Sequence, residues 1–129
     1  MRVKPVKGAD AVRARVPAVL HAYAETRETV LEGGIVDRSV KELCARYLAE
    51  AGEEIVLFER SDRFDERQKA ALRWAHAVAF DSTEADDALW EELHRHFSEP
   101  ELVELGYFIA FTLGQQHWLR TLGIDPLSR

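Results

Sequence analysis

The sequence has very little cysteine. Cys44 is the only one among 129 residues. A disulfide within the chain is therefore excluded. So is a two-thiol redox cycle within one subunit, because that cycle needs an attacking thiolate and a resolving thiol. A lone thiol fits a reducing compartment, and a cytoplasmic location is expected. Long apolar runs are also missing. The longest charge-free apolar stretch, Leu105 to Trp118, already contains Gln115, Gln116 and His117. It falls short of the roughly 20 residues that cross a bilayer, so no membrane association is expected. Arg2, Lys4, Lys7, Arg13 and Arg15 are followed by no apolar segment of signal-peptide length. Positive charge is not in excess either. The formal net charge of −6 argues against nucleic acid or an anionic membrane as a partner. There is no internal repeat, no low-complexity run, no Gly-, Pro- or Ser-rich linker and no convincing alternating strand pattern.

What is present is ample core material, 47% hydrophobic residues, in a length that suits one domain. The expectation is a single all-α domain over residues 1–129, with residues 1–15 as an extended or mobile arm. Pro17 suits the first turn of a helix, where its missing N–H costs nothing. That helix runs through Val19, Leu20, Tyr23 and Val30 and stops at Gly33-Gly34, a left-handed cap. Asp37 caps a second helix, with Ser39 and Glu42 at capping-box spacing behind it. Its stripe is Val40, Leu43, Cys44, Tyr47, Leu48 and Ala51, and Gly52 ends it. Ile55 to Phe58 reads as a buried turn of helix within a connection. Asp65 and Gln68 open a third helix with the stripe Ala71, Leu72, Ala75, Val78 and Ala79. Thr83 caps a fourth, carrying Leu89, Trp90, Leu93 and Phe97. Ser98, Pro100 and Glu101 combine a cap, a first-turn proline and a box acid. They open a fifth helix of about 24 residues, or roughly 36 Å. It is apolar nearly all round from Leu102 to Leu113, which calls for burial in a core or an oligomer interface. Gly106 and Gly114 lie inside it, and close helix packing would compensate their cost there.

Few residues carry obvious chemistry. Cys44 sits on an apolar stripe, where burial raises a thiol pKa and makes it inert. His94 and His96 point about 200° apart on a helix and cannot share a metal; no metal site is expected. Glu92 and His96 suit a surface pair, and His21 has no distinctive partner. His76 falls at the edge of the third helix's stripe. The fifth helix's stripe, Leu102, Leu105, Gly106, Ile109 and Leu113, continues into Gln116, His117 and Arg120. The core-facing side of that helix thus turns polar. Buried polar groups must be paired, so this end forms either a structural network or a pocket lining. Histidine is the side chain best suited to proton transfer near neutrality. Glu42 falls opposite its own helix's apolar stripe and reads as exposed.

The stretch Phe64-Asp65-Glu66-Arg67-Gln68-Lys69-Ala70-Ala71-Leu72-Arg73-Trp74-Ala75-His76-Ala77 resembles the "SERExAALxxAEA" helix of the carboxymuconolactone decarboxylase and alkylhydroperoxidase-D-like family. Phe97 to Leu105 resembles its "FSxxELVEL" start, and Asp37 to Leu43 its "DPxLKEL" helix. The resemblance covers roughly residues 20–125. The family's redox members carry Glu-x(11)-Cys-x-x-Cys-x-x-x-His. Glu42 matches that glutamate, but the cysteine positions fall on Glu54 and Leu57 and the histidine position on Ser61. His76 falls where many relatives have glutamate, and Gln116-His117 where many have Asn-Arg. The resemblance implies an alkylhydroperoxidase-D-like bundle of about five to six helices. It also implies a dimer, trimer or hexamer formed through helix packing, with pockets near subunit contacts. With the dithiol absent, it implies the decarboxylase branch, which uses no cofactor. Acid–base chemistry on a small organic acid or lactone follows, with His76, His117 and Glu42 as catalytic residues. Gln116, Arg120 and Tyr107 are the binding residues. The competing readings are a non-catalytic helical oligomer or ligand-binding module, and residual peroxidase activity through Cys44.

Overall fold

Six α-helices and two short helical turns make up the computed structural model, which describes residues 8–50 and 62–127. They are α1 (Ala9–Arg13), α2 (Pro17–Thr26), α3 (Arg38–Ala49), α4 (Glu66–Phe80), α5 (Asp87–His96) and α6 (Glu99–Thr121). A π turn, Arg27–Leu31, extends α2, and a 3₁₀ turn, Ser82–Glu84, follows α4. No strand occurs among the described residues, and none of their helices is long and apolar enough to cross a membrane. Gly52, the stretch Ile55 to Phe58 and the positions Glu54, Leu57 and Ser61 lie outside the described residues.

The helix starts follow from side-chain chemistry. Asp65 accepts from the Gln68 N–H at 2.7 Å, and the Gln68 side chain accepts from the Asp65 N–H, a complete capping box. Ser98 and Glu101 close the same box on α6, with Pro100 in its first turn. Two expected starts differ. Asp86, not Thr83, caps α5, accepting from the Leu89 N–H at 2.9 Å. Thr83 instead lies in the 3₁₀ turn, which Asp81 caps. Asp37 holds the N-cap position of α3, but Ser39 and Glu42 form no box. The Asp37 carboxylate is taken by Arg67 at 2.7 Å, Ser39 bonds back to Asp37, and Glu42 pairs with Arg38. Within the stretch expected as an N-terminal arm, only residues 8–15 are described. Residues 9–13 form a helical turn that buries Ala9, Val12 and Arg13.

The core sits where α3, α4, α5 and α6 meet. Leu72, Leu93, Leu105 and Ile109 are wholly buried, each contributing about 1.5–3 kcal/mol relative to exposure. Ala70, Ala71 and Ala75 on α4 are also wholly buried. Their small side chains let the neighbouring helices approach closely. Cys44 lies in this core, as expected from its stripe. Val78, expected with the α4 stripe, is exposed.

An ionic knot ties the segment before α3 to α6. Lys41 is buried, and its Nζ donates to the carbonyls of Val30 and Gly33 and meets Glu104 Oε2 at 3.1 Å. Glu104 also accepts from the backbone N–H groups of Ile35 and Val36. Gly34 crosses this carboxylate at φ 87°, a left-handed conformation in which a side chain would run into Glu104. The knot thereby fixes how α3 enters the bundle. It leaves α2 outside, with no fully buried residue of its own. The space between α2, α3 and α6 becomes the wall of the candidate site.

Candidate functional site

A cavity of about 380 Å³ lies between α1, the end of α2 with its π turn, α3 and α6, and Pro126 and Leu127 close one edge. Its volume falls within the usual range of small-ligand sites. One wall is aromatic. Tyr23 stacks on Phe111 with ring centroids 6.0 Å apart, and Phe108 lies nearby in the lining. Another wall is cationic. The lining holds Arg13, Arg27, Arg38, Lys41 and Arg46 against three acids, Asp10, Glu32 and Glu42. Positive charge is thus concentrated locally in a chain whose net charge is −6.

The partners of these cations show which are free to act. Lys41 is committed to the knot described above. Arg13 is buried under Tyr23, its guanidinium carbon 3.4 Å from the ring centroid, a cation–π contact. It donates to Asp10 at 2.9 Å and to Gln115 Oε1 at 2.9 Å. Arg27 reaches the other Asp10 oxygen at 3.5 Å. Arg38 is held by Glu42 at 3.0 Å, one turn along α3. Arg46, exposed one turn further on, has no side-chain partner among the described residues.

Gln116 supplies the most informative atom. It is 3% exposed and lines the cavity. Its amide nitrogen donates to the Ala45 carbonyl at 2.9 Å. A carbonyl can only accept, so this bond fixes which end of the amide points where. The remaining atom, Oε1, is buried and has no partner among the described residues. An unpaired buried acceptor costs about 1–3 kcal/mol, and a donor from a bound molecule would relieve that once the Gln116 amide turns toward the cavity, since the atom has almost no accessible surface where it lies. Arg13 Nε, on the same lining, is a buried donor without a partner among the described residues.

The sequence-derived site residues do not gather in one place. Glu42 and Gln116 share the cavity just described. Glu42 is exposed, as its position on the α3 wheel implied. His76 lines a different cavity, of about 590 Å³, together with Arg73, Glu84, Asp86 and Arg95. There the Tyr47 hydroxyl meets His76 Nδ1 at 2.6 Å, and His76 Nε2 lies 3.3 Å from Glu84. Glu84 can only accept, so in the neutral ring Nε2 would carry the proton and Nδ1 accept from Tyr47. Burial, reinforced by the Glu84 charge, pushes the Tyr47 hydroxyl up to about 12, so it remains a donor. His117 is exposed and lines neither of these cavities. The expected inward direction of His117 is therefore corrected. The buried arc of α6 includes Phe108 and Leu119, which turns its centre away from position 117. Arg120 donates to the last carbonyls of α3, Leu48 and Ala49, and so closes the end of that helix. Tyr107 is 55% exposed on the outer face of α6 and stacks on Phe111.

Of this lining the sequence reading named only Glu42 and Gln116 as site residues; Arg13, Arg46 and Phe111 are among those it missed. Lys41 carried a usable signal, because it stands three residues before Cys44 and seven before Leu48, inside the apolar stripe. Burial pushes the Cys44 thiol up to about 12, so it remains a thiol at neutral pH. No protein-family model, curated protein or solved structure matches the chain.

Proposed function

We propose that the protein binds a small organic acid in the cavity between α2, α3 and α6, as a divergent relative of the carboxymuconolactone decarboxylase-like family that lacks the dithiol. The observation that carries this reading is Gln116 Oε1, a buried acceptor without a partner among the described residues, on a residue in the wall of a cationic, aromatic-lined cavity. The guanidinium of Arg46, without a side-chain partner among the described residues, supplies the attraction for a carboxylate. Tyr23, Phe108 and Phe111 supply apolar surface for the body of the ligand. Gln116 rewards a hydroxyl or amide donor on it. The Arg13–Asp10–Arg27 cluster supports the α1–α2 side of the cavity and keeps its field positive.

Binding has more support than catalysis. Proton transfer needs groups within hydrogen-bond reach or one water of the substrate, and His76 and Glu42 line separate cavities while His117 faces solvent. Glu42 alone stands beside the proposed ligand, already paired with Arg38.

Calorimetric titration with 4-hydroxybenzoate, among other small carboxylic acids, tests the reading. The comparison ligand is the cation 4-hydroxybenzylamine, of similar shape. The acid binds, the amine does not, and both Arg46→Glu and Gln116→Leu weaken the acid about tenfold or more. Equal binding of acid and amine, or affinity unchanged in both variants, overturns it.

A further inference from the structure

Arg13, Tyr23, Phe111 and Gln115 line two cavities at once, the main one and a second of about 330 Å³. These four side chains are the wall between them. Beyond the wall the second cavity is bounded by Val19, Ala22 and Trp118, and no acidic residue lines it. An apolar group suits that space. The wall itself holds an unanswered polar atom. Arg13 is 4% exposed. Its Nη1 donates to Asp10 and its Nη2 to Gln115. Its Nε is buried and has no partner among the described residues, although buried polar groups nearly always have one. Arg13 stands between the cavities, so an acceptor that reaches Nε does so where they adjoin.

We infer that the ligand is an aromatic acid of two rings joined through a carbonyl, which spans both cavities. This rests on the small-acid reading of the main cavity and extends it. The carboxylate and first ring lie in the main cavity, with Arg46 and Phe108. The bridging carbonyl oxygen accepts from Arg13 Nε. The second ring lies beyond the wall, against Val19 and Trp118. Three aromatic side chains line that space, Tyr23, Phe111 and Trp118. A ring gains offset-stacked and edge contacts with them that an alkyl chain of equal volume does not.

The wall opens at Tyr23. Its ring lies between the Arg13 guanidinium, 3.4 Å from the ring centroid, and the Phe111 ring at 6.0 Å. Arg13 Nε has almost no accessible surface while Tyr23 stays there. Tyr23 belongs to α2, which has no fully buried residue. A segment with few buried contacts opens at low cost. As Tyr23 tilts outward with α2, the ligand replaces in kind what the wall gives up. Phe111 regains a ring beside it, and Arg13 gains the acceptor that Nε lacks. Gln115 keeps its bond to Nη2, so Arg13 stays anchored to α6.

Calorimetric titration with three acids tests this: 4-hydroxybenzoate, 4-benzoylbenzoate and 4-benzylbenzoate, the last with a methylene in place of the carbonyl. The second ring leaves water, so 4-benzoylbenzoate binds at least about tenfold more tightly than 4-hydroxybenzoate. The methylene compound cannot accept from Nε and binds about threefold or more weakly than the ketone. Val19 is exposed and lines the second cavity but not the main one. Val19→Trp therefore keeps its helical circular dichroism and fills the second cavity. It removes the advantage of the two-ring acid and leaves 4-hydroxybenzoate unchanged. Binding of 4-hydroxybenzoate with no gain for 4-benzoylbenzoate overturns this inference alone. So does a methylene compound that matches the ketone, or a gain that survives Val19→Trp. If none of the three acids binds, this inference falls together with the reading beneath it.

Discussion

Replacing Glu104 with glutamine removes one charge from the Lys41 knot and changes almost nothing in shape. Lys41 is 1% exposed, and its three donors meet Val30, Gly33 and Glu104. Removing one partner of a buried pair typically costs about 3–5 kcal/mol, because the other charge is left uncompensated. Glutamine keeps one carbonyl oxygen, which can still accept from Val36. The expected loss is therefore at the low end, about 3 kcal/mol, a large share of the roughly 5–15 kcal/mol a domain has. Lys41→Met on top of it removes the stranded ammonium while retaining apolar volume. The double variant should recover at least about 1 kcal/mol relative to the sum of the single losses, within the usual range for coupled neighbours. Acid should narrow the gap between wild type and Glu104→Gln. Burial opposes ionisation of Glu104, but the N–H groups of Val36 and Ile35 and the Lys41 ammonium outweigh it, so its folded pKa lies below the ordinary 4.5. A depressed carboxylate stabilises the fold above its unfolded pKa, and that stability is lost as pH falls through the folded pKa. Urea unfolding followed by circular dichroism at pH 7 and at pH 3.5 measures each quantity. A loss under about 0.5 kcal/mol at pH 7, or a gap that does not shrink in acid, would refute the reasoning.

Other expectations follow from single sites. Arg67 bonds Asp37, Glu101 and the His96 carbonyl and lies over the Phe97 ring, joining the start of α3 to the junction of α5 and α6. Arg67→Lys keeps the charge but not the fork, and a loss of about 1–3 kcal/mol in denaturant unfolding is expected; an unchanged midpoint would sink this. The Asp37 carboxyl is opposed by burial but held below its usual range by Arg67, and Glu101 is lowered first by the Ser98 N–H. The wild type should accordingly lose stability as pH drops below about 4.5, and Arg67→Lys should lose less. Cys44 should not react with Ellman's reagent in the native state at pH 8 and should react fully in urea; rapid native labelling would contradict its burial. Gly106→Ala should destabilise by up to about 2 kcal/mol, as overpacking against Trp74 exceeds the gain in helix propensity. A raised melting temperature would show that Trp74 yields freely.

Helix starts were legible wherever one local pattern stood alone. Asp65 with Gln68, and Ser98 with Glu101, each define a box by residue type and spacing, and each forms. Thr83 misled because Asp81, Thr83 and Asp86 all offer capping oxygens within six residues. A 3₁₀ turn took the first two. The rotation of α6 was less legible for a physical reason. Its apolar residues run all round, so periodicity does not select an inner face. The buried set turned out to include Phe108 and Leu119. That rotation buried Gln116 and left His117 in solvent. The cavity itself is assembled from α1, α2, α3 and α6, and no local pattern joins Arg13 to Gln116 across a hundred residues. Lys41 is the exception that was readable, a cation placed inside an apolar stripe where burial demands partners.

The central claim is that the α2–α3–α6 cavity takes a small organic acid through Gln116 and Arg46. Its most direct test is ¹H–¹⁵N correlation NMR of the uniformly labelled chain during titration with 4-hydroxybenzoate. The account predicts saturable shifts of the Gln116 side-chain amide and of backbone signals on α2, α3 and α6 facing the cavity, with His76 and α5 unmoved. Saturable shifts confined to the His76–Glu84 cavity, or none at Gln116 with any of the carboxylic acids, would contradict it.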